Sequence, residues 1–166
     1  TEMVAAGTPD ATFNNDFDAQ GGAWVWRHNN GDWSGPQKVE PSIQLINLRA
    51  GQQVAAHGDY LAMSYGGIET PHPSLIDFLV YDDATQTWAT YAPRSNQPRG
   101  DSIGDVIDDM VMNWQGLYLS AADTTTGESA IGLFEIFDGF DITEIERTNV
   151  GDVSRCFDLA VDGFYV

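Results

Sequence analysis

Three aromatic-rich, strand-like runs recur along this chain at nearly equal intervals, and that recurrence limits the fold more than any other feature. Val25 in AWVWRH, Val80 in DFLVYDD and Ile136 in GLFEIFDG stand 55 and 56 residues apart. Trp33 and Trp88 follow eight residues after Val25 and Val80, whereas Glu144 holds that place in the third run. Upstream lies a second recurring element, a Gly or Asp turn leading into an apolar run: HGDYLAMS, WQGLYLSA and VDGFYV. Each of these is preceded by a further strand candidate, GQQVAA, DDMVMN or CFDLAV. Self-similarity at such a period is the signature of stacked supersecondary units. One unit therefore reads strand, tight turn, strand, variable loop, strand, short turn, strand. The units are expected at about 1–48, 52–99 and 105–148, with a partial fourth at 152–166. The first has lost its opening strand and begins at MVAAGTPD.

The runs themselves favour strands. They are short, rich in aromatic and β-branched residues, and bounded by Gly, Asp, Asn or Pro. No stretch of helical length carries a capped apolar stripe, and SLIDFLVY, the nearest candidate, has a β-rich end followed by a turn. The polar segment Asp83 to Gln86 is expected to reverse the chain between neighbouring strands. Trp88 then opens an outer strand, where a large flat ring can fill the wedge between two sheets that splay apart. Burying one such ring contributes on the order of 2–3 kcal/mol. YLAMSY and DFLVY are nearly continuous apolar runs, as expected of strands packed on both faces.

The second unit, GDYLAMSYGG…LIDFLVYDDATQTWATYAPRSNQPR, resembles a kelch repeat. The likeness lies in Gly66-Gly67 ending one strand, Tyr81-Asp82 ending the next, Trp88 six residues after Asp82, and Pro93 and Arg99 beyond. The first unit looks more like the FG-GAP repeats of integrin-type propellers, with the Gly7-Thr8-Pro9 turn, an acidic loop, Gly21-Gly22, the aromatic strand and the Trp33 strand. YDDATQTWA also partly resembles the Asp-box turn of sialidase-like propellers, through Asp83, Thr87 and Trp88, with Thr85 in place of the usual Gly. Both repeat families build β-propeller blades of four antiparallel strands. The resemblance therefore implies an all-β fold of about three propeller-like blades. Closed propellers use about 4 to 8 blades, so the expectation is a segment of a larger propeller. Assembly of several chains and open stacking are the alternatives.

Composition narrows the function classes. Seven Lys and Arg against 25 Asp and Glu give a formal charge of −18, with Lys38 the single lysine. Such a surface repels phosphate backbones and argues against nucleic-acid binding. It suits an extracellular, high-salt or cation-rich setting. Cys156 is the only cysteine, so no intrachain disulfide can form, and a buried small side chain is the expectation for it. No apolar run approaches the roughly 20 residues that span a membrane as a helix, and no signal peptide is visible. Because the chain opens on Thr1 inside a strand-like run, a processed chain or a piece of a longer one is expected.

Chemistry-bearing motifs are sparse. In NNDFDAQGG, Asn14, Asp16 and Asp18 alternate oxygen ligands much as calcium loops do, with Gln20 as a fourth. Integrin-type repeats often hold calcium in this loop, so calcium is the ion that the resemblance implies. Ala19 stands where such loops want Gly, and no acidic residue closes the site, which leaves a solvated polar turn as the rival reading. DSIGDVIDDM supplies Asp101, Asp105, Asp108 and Asp109. Paired carboxylates can perform acid–base work across a cleft, but adjacent Asp108 and Asp109 would point to opposite strand faces, and a solvated face is expected. His28, His57 and His72 lack metal-ligand spacing. No nucleophile elbow, phosphate loop or dinucleotide fingerprint occurs. Trp24 and Trp26 share one strand face and Trp114 sits beside a turn. Packing between blades accounts for most of the tryptophans, and an exposed one would point to sugar binding.

The expected function is a non-catalytic protein-binding or structural assembly module, extracellular or at the cell surface, such as an adhesion, filament or coat component. Its partners would be other proteins or copies of itself. The contact surfaces would be the unequal connections Thr8 to Gln20, Gly66 to Ser74 and Ala121 to Ala130, displayed on rigid blades. The alternatives are a glycan-binding, lectin-like propeller and part of a glycan-processing enzyme whose catalytic residues lie elsewhere.

Overall fold

Period-two patterning does produce strands, arranged in the computed structural model as three four-stranded antiparallel sheets. The structure describes residues 2–12, 19–43, 46–66, 75–90, 106–122, 129–135, 143–151 and 159–160, and no helix occurs among them. The first sheet holds β1 (Glu2–Gly7), β2 (Ala23–Asn29), β3 (Asp32–Trp33) and β4 (Gln37–Val39). Both β3 and β4 pair with β2, so they form one outer position broken at Ser34-Gly35-Pro36, where Pro36 has no N–H to give a ladder. The second sheet runs β5 (Val54–His57), β6 (Tyr60–Tyr65), β7 (Leu75–Asp82) and β8 (Thr87–Thr90) in simple meander order. The third repeats that order with β9 (Val106–Asn113), β10 (Gly116–Ala122), β11 (Ser129–Glu135) and β12 (Thr143–Gly151).

The second and third sheets share one strand order, and the partial unit expected at 152–166 lies almost wholly outside the described residues. In the second and third sheets the first two strands are joined by two-residue turns, between His57 and Tyr60 and between Asn113 and Gly116. Among the described residues the first sheet has no strand equivalent to β5 or β9, and β1 is its edge.

The register needs one correction. Val25 and Val80 are not equivalent. Trp33 pairs with His28 and Trp88 with Tyr81, which makes Arg27 the counterpart of Val80 and Phe78 the counterpart of Val25. The equal Val-to-Trp spacing hides hairpins of different length. Asn30-Gly31, both at positive φ, close β2–β3 in two residues, whereas β7–β8 needs the four residues Asp83 to Gln86. A slip of two preserves the face to which each side chain points, so the repeat survives it. Ile136, the third member of that set, lies outside the described residues.

The three sheets stack with the second in the middle. Leu61, Met63 and Leu79 on one of its faces pack against Met3, Ala5 and Val25 of the first sheet. Ala62, Ile76 and Phe78 on the other face pack against Met110, Met112, Leu117 and Leu119 of the third. This explains why YLAMSY shows no alternation: both of its faces are inside. β1 lies against β5 and β5 against β9, with no comparable approach between the outer strands β4, β8 and β12. The sheets therefore fan outward from their first edges.

At that converging edge the chain passes between the first two sheets through residues 48–51. Ala50 bridges Gly21 in parallel. Gly22 N donates to Ala50 O at 2.7 Å, and Gly51 N donates to Ser64 O at 2.8 Å. A Cβ on Gly21 would strike the backbone of Ala50, and one on Gly51 the carbonyl of Gly22, and both residues have positive φ. Only glycine allows three backbone segments to cross this closely.

Candidate functional site

Stacking leaves two outer sheet faces without a neighbouring sheet among the described residues, one on the first sheet and one on the third. In the first sheet, Met3, Ala5, Val25 and Val39 face the second sheet, and alternation sends Val4, Ala6, Trp24 and Trp26 to the opposite face. Register places Val4 beside Trp26, Ala6 beside Trp24, and Glu2 beside His28, which in turn pairs with Trp33. Val4 is 52% and Trp33 51% exposed. The His28 ring lies 5.1 Å from that of Trp33, and His28 Nδ1 is 3.3 Å from Glu2 Oε2.

The hairpin register identifies what this face is. Because His28 and Trp33 match Tyr81 and Trp88, Trp26 matches Leu79 and Val4 matches Leu61. Leu61, Leu79 and Trp88 form the side of the second sheet that is buried against the first. The open face is thus the counterpart of a face that, one sheet further along, is covered.

That covered interface carries two polar anchors which reading the sequence missed. Arg27, only 2% exposed, donates from Nη1 to Asp83 Oδ1 at 2.9 Å and from Nη2 to Asp59 Oδ1, and its guanidinium carbon sits 3.6 Å above the Tyr81 ring centre. Asp59 and Asp83 occupy the two hairpin tips of the second sheet, so one side chain of the first sheet grips both. Burial disfavours the charge, yet hydrogen bonds with Asp83 and Tyr81 and the charges of Asp59 and Asp83 outweigh it and hold the Arg27 pKa above its ordinary value. The second anchor is Asp77, fully buried in β7. It accepts hydrogen bonds from Ser42 N and Oγ, both at 2.6 Å, and from Tyr65 Oη at 3.2 Å. The available signal was a lone charge inside an apolar run, since such a group is buried only with partners: Arg27 in AWVWRH and Asp77 in IDFLVY.

Further out, where β4 and β8 part, lies an open groove of about 490 Å3. One wall is β4 with Glu40 beyond it, and the other is Thr87 and Trp88 with Leu79 behind them. Trp88 packs edge-on to Tyr81, ring centres 5.3 Å apart, and against the core between the sheets. It occupies the wedge expected of it from the sequence.

The other residues singled out in the sequence are placed as follows. Asn14, Asp16 and Asp18 lie outside the described residues. Gln20 is fully buried, and neither Nε2 nor Oε1 has a hydrogen-bond partner among the described residues. Asp101, Asp105, His72 and Cys156 are likewise outside. Asp108 falls at a bulge in β9, between the Ile107–Ala121 and Asp109–Ser120 pairs. Asp109 accepts from Met110 N at 2.8 Å and from Leu159 N at 2.5 Å, so it ties backbone together. His28 and His57 stand on different sheets, and no group of three metal-ligating side chains occurs among the described residues. The β7–β8 turn is held by Asp82 rather than Asp83: Oδ1 accepts from Ala84 N at 2.8 Å and Oδ2 from Thr85 Oγ1 at 2.9 Å. Those bonds hold the Asp82 carboxyl below its usual pKa. Trp114, in the β9–β10 turn, is 56% exposed. No helix among the described residues is long and apolar enough to cross a membrane. Comparison with protein-family models, with curated proteins and with solved structures found no match to this chain.

Proposed function

We propose that this chain is a non-catalytic assembly module, extracellular or at the cell surface, whose propeller-like sheets extend their stack by docking on a second copy of the chain. The observation that carries the reading is the face of Val4, Ala6 and Trp26, which has no neighbouring sheet among the described residues and on which Val4 is 52% exposed; it is the counterpart of the face that the second sheet buries against the first. Stacking has a polarity that repeats at both interfaces: the side bearing Leu61 and Leu79, or Leu117 and Leu119, always meets the opposite side of the preceding sheet. The open face therefore calls for a sheet side of the type the third sheet turns away from the second, where Val111, Ile131 and Leu133 are half-buried. One chain carries both types, at opposite ends of its stack. Joining them is a head-to-tail contact, which closes a ring or grows a filament.

Electrostatics set a condition. A formal charge of −18 per chain opposes association of copies, so assembly strengthens as salt or divalent cations screen it. The test is sedimentation velocity over a concentration series at about 0.15 M salt, where screening reaches roughly 8 Å. The native chain should gain mass with concentration. Val4→Glu, which places a charge on an exposed position of the face, should stay monomeric with an unchanged circular dichroism spectrum. A native chain that remains monomeric throughout, or a Val4→Glu variant that assembles equally well, overturns the reading.

A further inference from the structure

We propose that the groove between β4 and β8 binds a neutral pyranose saccharide, with the Trp88 ring as its platform and Gln37 as its polar partner. This inference is independent of docking through the first sheet's open face, which lies on the other side of β2 and β4.

Three observations define the ligand class. Charge comes first. In a chain of formal charge −18 the groove's charged residues cancel, because Lys38 Nζ lies 2.6 Å from Glu40 Oε1. Neither an anion nor a cation is selected by such a pair. Shape and apolarity come second. The groove measures about 490 Å3, within the range of small-molecule sites, and Trp88 and Leu79 give it an apolar wall against which the C–H face of a sugar ring can stack.

The third observation is an unspent donor and an unspent acceptor on residues that line the groove. Trp88 Nε1 and Gln37 Oε1 are both buried with no hydrogen-bond partner among the described residues. Gln37 Nε2 is already directed at Tyr81 Oη, 3.4 Å away, which fixes the orientation of the amide. Leaving such groups unmade is costly. A hydroxyl can serve either group, accepting from the indole N–H or donating to the amide oxygen. A ligand rich in hydroxyls, uncharged and apolar on one face is a saccharide. Both atoms are shielded from solvent, so the outer strands must part slightly to admit a hydroxyl. β4 can do so, being only three residues long and held by β2 alone.

The experiment follows the Trp88 indole N–H resonance in 1H–15N spectra during titration with the methyl pyranosides of glucose, galactose and mannose. A saturable shift with at least one of them is expected, with a dissociation constant on the order of 1 mM. Gln37→Met, which keeps the side-chain length at an edge strand and removes the acceptor, should weaken binding about tenfold or more. Trp88→Phe, which keeps an aromatic wall and removes the donor, should do the same when binding is followed through the Thr87 backbone amide, and if it unfolds, Gln37→Met alone decides. Absence of a saturable Trp88 shift with all three glycosides, or undiminished affinity in Gln37→Met, overturns the proposal.

Discussion

The two interfaces between sheets are built on different physics. Between the second and third sheets the described contacts are side chains such as Ile76, Phe78, Met110, Met112, Leu117 and Leu119. Between the first and second a comparable apolar layer is joined by Arg27 with Asp59 and Asp83, by Asp77 with Ser42 and Tyr65, and by the glycine crossing at residues 48–51. Apolar burial is non-directional and scales with area. It holds two sheets together without choosing among close alternatives. Charge-assisted hydrogen bonds are directional, so Arg27 and Asp77 choose one relative placement. The first sheet is where such a choice matters. Among the described residues it has no strand equivalent to β5, and its β3 and β4 are two and three residues long, so it has the least described ladder to fix its position.

Two substitutions set the interfaces against each other. Phe78→Ala empties a position that is 1% exposed in the apolar layer between the second and third sheets. It should lower the unfolding free energy by about 3–5 kcal/mol, measured by urea denaturation. Arg27→Met should cost less, about 1–2 kcal/mol. Methionine fills most of the volume, and Asp59 and Asp83 regain water because they already stand 40% and 70% exposed. Its cost should shrink as salt screens the exposed carboxylates in the native protein. If Arg27→Met proves costlier than Phe78→Ala, or if its cost is indifferent to salt, the anchors would supply stability rather than placement and the contrast fails.

These differences also mark what the sequence could and could not disclose. Sheet order and strand type were legible because they rest on local signals: alternation, aromatic content, and turn residues such as Gly58-Asp59 and Trp114-Gln115 in matching places. The stacking itself was legible in YLAMSY, whose unbroken apolar run requires two covered faces. The register was two residues off because it was read from a fixed Val-to-Trp distance, and hairpin length was free to vary. Asn30-Gly31 is a two-residue turn by its own chemistry, while Asp83 to Gln86 spends two residues more and leaves Asp83 free to reach Arg27. The crossing at Gly21 and Gly51 depends on backbone approach between segments about 30 residues apart, which no local pattern encodes. Of the candidate site, Trp88 and the Trp24–Trp26 face were visible as aromatic residues at defined strand positions. Gln37 was not, because an amide on a three-residue strand has no signature until a partner strand is placed beside it.

The smallest expected effect separates two equivalent hairpin tips, β7–β8 of the second sheet and β2–β3 of the first. The β7–β8 turn depends on an ionised side chain, whereas the β2–β3 turn depends on Asn30-Gly31 backbone geometry alone. Asp82 has a folded-state pKa below its unfolded value of about 3.9. A depressed carboxyl pKa contributes stability that is present above the unfolded value and lost as pH falls through the folded one. Asp82→Ala should therefore lower the thermal midpoint slightly at neutral pH, and the difference from the native protein should fade below about pH 4. Asn30→Ala, which strains a positive-φ position, should lower the midpoint equally at both pH values, because no proton is involved. A penalty for Asp82→Ala that persists undiminished into acid would mean the turn is held by packing, and the two tips would then differ in length only.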